Sequence, residues 1–319
     1  MVYVLFVVGF VILIAGANIL VTGASSVGKF FRMSSLVIGF TIVALGTSLP
    51  ELIINVFASV RGQTDLAITN VMGSNIMNTL LIIGVAALIL PIVPGRATMR
   101  TIVPISLFAS LVLGLLVYIH LEPVTTTLVI DYLEGLVLLA LLVGYLLFSY
   151  YFTRKSGDAT EEVGDIKQYA LWKSLLMIVV GVAGLYFGGN WVVAGAVYIA
   201  TDFGMSQALV GITIVAVATS LPELITSVLA AMRKNSGIAI GNALGSNIFN
   251  IFLILGISAL INPLPFSGTL SIDLWVMILA NLVVVFFVWI GRGHKITRLE
   301  GGLMALVYVG YIVWLFMTH

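Results

Sequence analysis

Ten apolar runs, near residues 2–26, 34–60, 64–91, 100–120, 127–153, 171–200, 206–232, 236–262, 270–291 and 299–318, take up most of this chain. A bilayer core about 30 Å thick is crossed by about 20 apolar residues in a helix. The runs therefore predict an all-α polytopic membrane protein with ten transmembrane helices. Charge agrees: 8% of residues are charged, against roughly 25% in a soluble domain. The first run, from Val2, has no basic leader and no small-residue cleavage pattern, so it is read as a retained span.

The basic residues test the count. Ten spans put Lys29, Arg32, Arg96, Arg100, Arg154, Lys155, Lys167, Lys173, Arg233, Lys234, Arg292, Lys295 and Arg298 on one side and Arg61 alone on the other. The basic side is cytoplasmic by the positive-inside rule, which sends both termini to the extracellular face of a cell membrane. A net charge of +1 gives no reason to expect a nucleic-acid partner, and the absence of cysteine removes disulfides and thiolate chemistry.

The chain also repeats itself at an offset of 172 residues. GFTIVALGTSLPELI (39–53) matches GITIVAVATSLPELI (211–225), and ITNVMGSNIMNTLLIIG (68–84) matches IGNALGSNIFNIFLILG (240–256). At a slightly shorter offset, LEGLVLLALLVGY (133–145) resembles LEGGLMALVYVGY (299–311). The expected organisation is a five-helix repeat over 1–153, with its motif at 39–84, a cytoplasmic linker over 154–170, and a second repeat over 171–319, with its motif at 211–256. Five is odd, so the second repeat enters the membrane from the opposite side, giving inverted topology. The linker's acids Asp158, Glu161, Glu162 and Asp165 read as an ordinary solvated run.

Packing alone does not explain why the most alike segments are the most polar. Glu51 and Glu223 are the acids placed well inside spans, where a charge costs at least roughly 2.5–3.5 kcal/mol and usually faces a cavity or a partner. No Lys or Arg is placed deep in a span to pair with either, which points to a mobile cation. Pro50 and Pro222 each remove a helical N–H, and so free the carbonyls of Gly46 and Ala218. Kinks are expected there, in helices 2 and 7, and in the helices 3 and 8 that follow. Thr47, Ser48, Thr219 and Ser220 add hydroxyls; Ser74 with Asn78 and Ser246 with Asn250, each spaced i,i+4, add more oxygen. Asn75 and Asn247 turn away and read as helix-bridging amides. Inverted symmetry would gather both motif pairs into one all-oxygen midplane site, suited to a hard cation such as Ca²⁺. Two carboxylates balance one divalent ion, a pair of monovalent ions, or protons.

These segments resemble the paired alpha repeats of the cation/calcium exchanger superfamily, and most closely its prokaryotic sodium/calcium exchangers, which carry GTSLPE followed by a GS(N/C)I-x-N helix. The resemblance spans both halves. It implies a Ca²⁺/Na⁺ antiporter that works by alternating access, with helices 1 and 6 sliding across the rest, no resident cofactor and no enzymatic activity. It implies Glu51 and Glu223 as central Ca²⁺ ligands, helped by the carbonyls of Thr47 and Thr219. Ala44, Ser48 and Ser74 would serve an inner Na⁺ site, Ala216, Ser220 and Ser246 an outer one, and Asn78 and Asn250 would flank the middle. Two departures stand out: the well-described sodium/calcium members have Asp where this chain has Asn250, and Ala218 stands where the first copy has Gly46.

An H⁺/Ca²⁺ antiporter on the same scaffold is the alternative, since proton-coupled exchangers also tend to lack that acid. A passive channel is less favoured by occluding acids in kinked helices. An intramembrane enzyme is less favoured because His120, His294 and His319 all fall outside spans or at their ends. The expected partners are Ca²⁺, Na⁺ or H⁺ and the lipid bilayer, around a monomer.

Overall fold

A computed structural model describes residues 2–31, 33–94, 99–118, 129–155, 168–202, 219–266, 270–291 and 294–318. Among them are eight helices long and apolar enough to cross a membrane: α1 (Val2–Phe31), α2 (Ser35–Val60), α3 (Thr64–Ile89), α5 (Tyr132–Lys155), α6 (Leu171–Asp202), α8 (Ser236–Ile261), α9 (Leu270–Trp289) and α10 (Arg298–Thr318). Two shorter apolar helices, α4 (Ile102–Tyr118) and α7 (Leu221–Met232), stand where two further spans were expected. The protein is thus an α-helical, multi-pass membrane protein. Large apolar side chains such as Val7, Phe108, Leu147, Trp275 and Leu306 are exposed on its outside, as a lipid-facing surface requires. The linker residues 156–167 lie outside the described residues.

The inner faces are held close by small residues. Helices α1 and α6 lie along one another, and a Cβ added at Gly181 would stand 2.6 Å from the backbone N of Leu20. One added at Gly188 would stand 2.5 Å from that of Leu13. Only glycine permits that approach, the usual way membrane helices pack when lipid supplies no hydrophobic driving force between them. The pair is pinned at both ends. Ser174 Oγ donates to Ser26 Oγ at 2.8 Å, the Tyr169 N–H donates to the same oxygen at 2.9 Å, and Tyr3 Oη donates to Asp202 at 3.4 Å.

Contacts recur between equivalent residues of the two halves. A Cβ on Gly301 would meet Gly84 O at 2.6 Å, and one on Gly135 would meet Gly256 O at 3.0 Å; in the sequence repeat Gly256 stands for Gly84 and Gly301 for Gly135. The short strands β1 (Val129–Ile130) and β2 (Leu264–Pro265) pair antiparallel through Ile130 and Leu264, and Ile92 bridges Ile296 in the same way. These two pairings are again equivalents, and they are the small β content among the described residues.

The irregularities sit near the repeated motifs but not where proline alone predicts. Helix α2 runs through Pro50 as continuous α-helix, and its wide π turn lies upstream, at Gly39–Val43. Helices α3 and α8 carry π turns at Asn78–Ile82 and Asn250–Leu255. A π turn leaves a backbone group without its usual partner and often marks a functional site. In the second TSLPE the helix begins at Leu221, with Pro222 in its first turn, where a missing N–H costs nothing. Ala218, whose carbonyl was expected to be freed, lies outside the described residues.

Candidate cation site

Glu51, inside α2, and Glu223, in the first turn of α7, are both fully buried. Ser48, one helical turn before Glu51, donates to Glu223 Oε1 at 3.1 Å, and Ser246 on α8 donates to the same oxygen at 3.4 Å. The α7 N-terminus adds the positive end of a helix dipole beside Glu223. Both Glu51 oxygens, and Glu223 Oε2, have no hydrogen-bond partner.

The bare oxygens do not stop there. Ser74 Oγ, Ser220 Oγ, Asn78 Oδ1, Asn250 Oδ1, Asn247 Oδ1 and Asn55 Oδ1 are also buried and unpartnered. Each such atom costs about 1–3 kcal/mol if nothing meets it. They lie on α2, α3 and α8 and at the start of α7, the elements that also carry the two acids, and such a donor set suits a hard cation that takes six to eight oxygens. Among the described residues no three of His, Cys, Asp and Glu cluster, so the donor set is two carboxylates supplemented by neutral oxygens. Gly245 lets α8 lie against α2: a Cβ there would be 2.7 Å from Phe40 Cα and 2.9 Å from Ala44 Cβ.

The residues expected from sequence fall as follows. Glu51, Thr47, Ser48 and Ala44 share α2; Ser74 and Asn78 lie on α3; Glu223 lies on α7, just after Thr219 and Ser220; Ser246 and Asn250 lie on α8. All are buried. Ala216 lies outside the described residues. Asn75 and Asn247 bridge helices, as their spacing predicts. Asn247 Nδ2 donates to Thr79 Oγ1 at 2.7 Å, and Asn75 Nδ2 to Asn247 O at 3.5 Å. Asn250 Nδ2 donates to Asn75 Oδ1 at 3.1 Å, leaving only its oxygen free.

Several residues were missed. Thr47 Oγ1 donates toward Asn242 Oδ1 at 3.1 Å, and its equivalent, Thr219 Oγ1, toward Asn70 Oδ1 at 3.2 Å. Each TSLPE is thereby tied to the following helix of the other half. Asn242 Nδ2 donates to Glu223 O at 3.2 Å and to Ser227 Oγ at 2.9 Å, whereas Glu51 O accepts from Asn55 Nδ2 at 2.8 Å. The signal was present: Asn70 and Asn242 occupy the same place in ITNVMGSN and IGNALGSN.

The family described as sodium/calcium exchanger protein matches residues 1–151 and 173–317. The chain is 35% identical to CaxA of Alkalimonas amylolytica over 98% of its own length and 97% of that protein. It is 30% identical to the sodium/calcium exchanger MaX1 of Methanosarcina acetivorans, over 98% of each. Its fold is similar to that of the sodium-calcium exchanger NCX_Mj, with a TM-score of 0.82 and 28% identity over 98% of this chain and 97% of the other.

Proposed function

The chain belongs to the sodium/calcium exchanger protein family, and we propose that it moves Ca²⁺ across a cell membrane in exchange for Na⁺ by alternating access. The observation that carries this reading is a pair of buried carboxylates, brought to one place by the Ser48–Glu223 hydrogen bond and without a basic partner among the described residues, amid unpartnered oxygens. An empty site holds two negative charges in a medium that penalises each by several kcal/mol. It cannot turn toward the other face of the membrane until cations neutralise it. One Ca²⁺ does so, and Na⁺ ions do so in its place. Exit of one species thus requires entry of the other.

In this reading Glu51 and Glu223 hold Ca²⁺ with the carbonyls of Thr47 and Thr219. Ala44, Ser48 and Ser74 take Na⁺ on one side of them, Ala216, Ser220 and Ser246 on the other, and Asn78 and Asn250 flank the centre. The two halves act as inverted repeats, α1 and α6 move across the rest, and both termini face outward on a monomer. The similarity to MaX1 and NCX_Mj, both named as sodium/calcium exchangers, supports Na⁺ as the counter-ion.

One feature favours a second reading, H⁺/Ca²⁺ exchange: Asn250 is an amide on which no further charge can depend. Purified protein in vesicles separates the two. Calcium uptake driven by an outward Na⁺ gradient at equal pH supports the first; uptake driven only by a pH gradient replaces it with the second.

A further inference from the structure

We propose that Asn242 is a positioning residue that keeps the Ala44 carbonyl available to a cation, by drawing the Thr47 hydroxyl proton away from it. The inference rests on the antiport reading above, in which that carbonyl takes Na⁺.

A threonine within a helix commonly donates its hydroxyl back to a carbonyl three or four residues earlier. Thr22, Thr69 and Thr79 do so here, at 2.7 Å to Asn18 O, 2.7 Å to Asp65 O and 2.8 Å to Asn75 O. Thr47 is different. Its Oγ1 lies 3.1 Å from Ala44 O and 3.1 Å from Asn242 Oδ1, with a single proton to give. The back-bond is stretched and a competitor stands at the same distance.

The competitor cannot turn away. Asn242 is fully buried, and its amide nitrogen is committed to Glu223 O and Ser227 Oγ. Rotating the amide by half a turn would set Oδ1 against the Glu223 carbonyl and N–H against the Thr47 hydroxyl, losing the pattern at both ends. So Oδ1 is presented to Thr47 permanently. When a cation approaches Ala44 O, the Thr47 proton moves to Asn242 and no hydrogen bond is lost in total. Without Asn242 the Thr47 hydroxyl has Ser246 Oγ to turn to, at the longer distance of 3.4 Å, so a cation breaks the back-bond with poorer compensation than Asn242 Oδ1 gives at 3.1 Å. The other half repeats the arrangement: Thr219 donates to Asn70 Oδ1 at 3.2 Å. There the Nδ2 of Asn70 has no partner, so that amide is less firmly held.

The test is radioactive calcium uptake into vesicles of the full chain, with the half-saturating Na⁺ and Ca²⁺ concentrations measured separately. Asn242→Ala removes the acceptor, and Asn242→Leu removes it with volume retained. Each is expected to raise the half-saturating Na⁺ concentration roughly fivefold, the worth of about one hydrogen bond, while that for Ca²⁺ changes much less. The double variant Thr47→Val/Asn242→Leu has no hydroxyl left to occupy Ala44 O, and is expected to recover at least half of the lost Na⁺ affinity. A merely structural Asn242 would shift both ions alike and leave the double variant no better than the single one; either result overturns the proposal. Where a single variant folds poorly, the double is compared with Thr47→Val alone: further loss of Na⁺ affinity on replacing Asn242 also overturns it. A parent protein that ignores Na⁺ gradients refutes the antiport reading itself, and this inference with it. A Na⁺-driven parent lacking the variant pattern refutes only the inference.

Discussion

Ser48 donates to Glu223 Oε1 at 3.1 Å, while its equivalent in the other repeat, Ser220, leaves Glu51 without a partner. Two motifs of identical sequence are therefore in different states. Glu223 is anchored by hydroxyls from both halves, and Glu51 is the bare acid. The two copies of the motif thus present their acids differently although their sequences are the same.

Replacing either acid removes half the balancing charge. Glu51→Gln and Glu223→Gln are each expected to lower calcium uptake at least about a hundredfold, in line with the cost of breaking a buried charge pairing. Vesicle flux measures this. Uptake that survives both substitutions rules out the site.

Asn250→Asp would add a third acid where Asn250 now donates to Asn75 Oδ1 at 3.1 Å. The amide bond is lost and a further negative charge requires balance. The expected outcome is a steeper dependence of calcium flux on Na⁺ concentration, read from the Hill slope. An unchanged slope would remove Asn250 from the ligand set.

The glycine seam between α1 and α6 predicts sharp intolerance. Gly181→Val and Gly188→Leu force side chains into backbone at 2.6 and 2.5 Å, and should cost at least about 2 kcal/mol. A lowered apparent melting temperature in detergent and lost flux would report it. Gly144→Ala, which meets nothing within 4 Å, should leave the melting temperature the same or slightly higher.

Away from the acids, Asn281 on α9 accepts from Ser106 Oγ at 2.8 Å and donates to Ser110 Oγ at 3.1 Å, both on α4. Asn281→Leu should cost about 1 kcal/mol of stability. The half-saturating ion concentrations should stay as they are, since this network joins helices and touches no proposed ligand. A shift in ion affinity would mean that α4 and α9 take part in the site.

Much of this was legible because lipid makes sequence unusually informative. A glutamate or an asparagine in an apolar run must have a reason, and Glu51, Glu223, Ser74, Asn78, Ser246 and Asn250 stood out for that cause alone. Asn70 and Asn242 were less visible, since an amide one turn before a GSN motif reads equally as a helix end. The proline signal also misled in detail. Pro50 suggested a break beneath itself, yet α2 absorbs it and relaxes upstream, at Gly39–Val43, where the presence of Gly39 gave little warning. The asymmetry between Glu51 and Glu223 could not be read at all, because TSLPE is the same five letters in both places and a conformational state is not written in letters.

The bonds across the centre have one more consequence. Thr47 with Asn242, Thr219 with Asn70, Ser48 with Glu223, Asn250 with Asn75 and Asn247 with Thr79 each join one half of the chain to the other. Neither half can complete its own polar centre. A gene cut within the linker should therefore yield two fragments that survive only when made together, each acting as the folding template for its partner, while either one alone is left with stranded amides and is cleared by proteolysis.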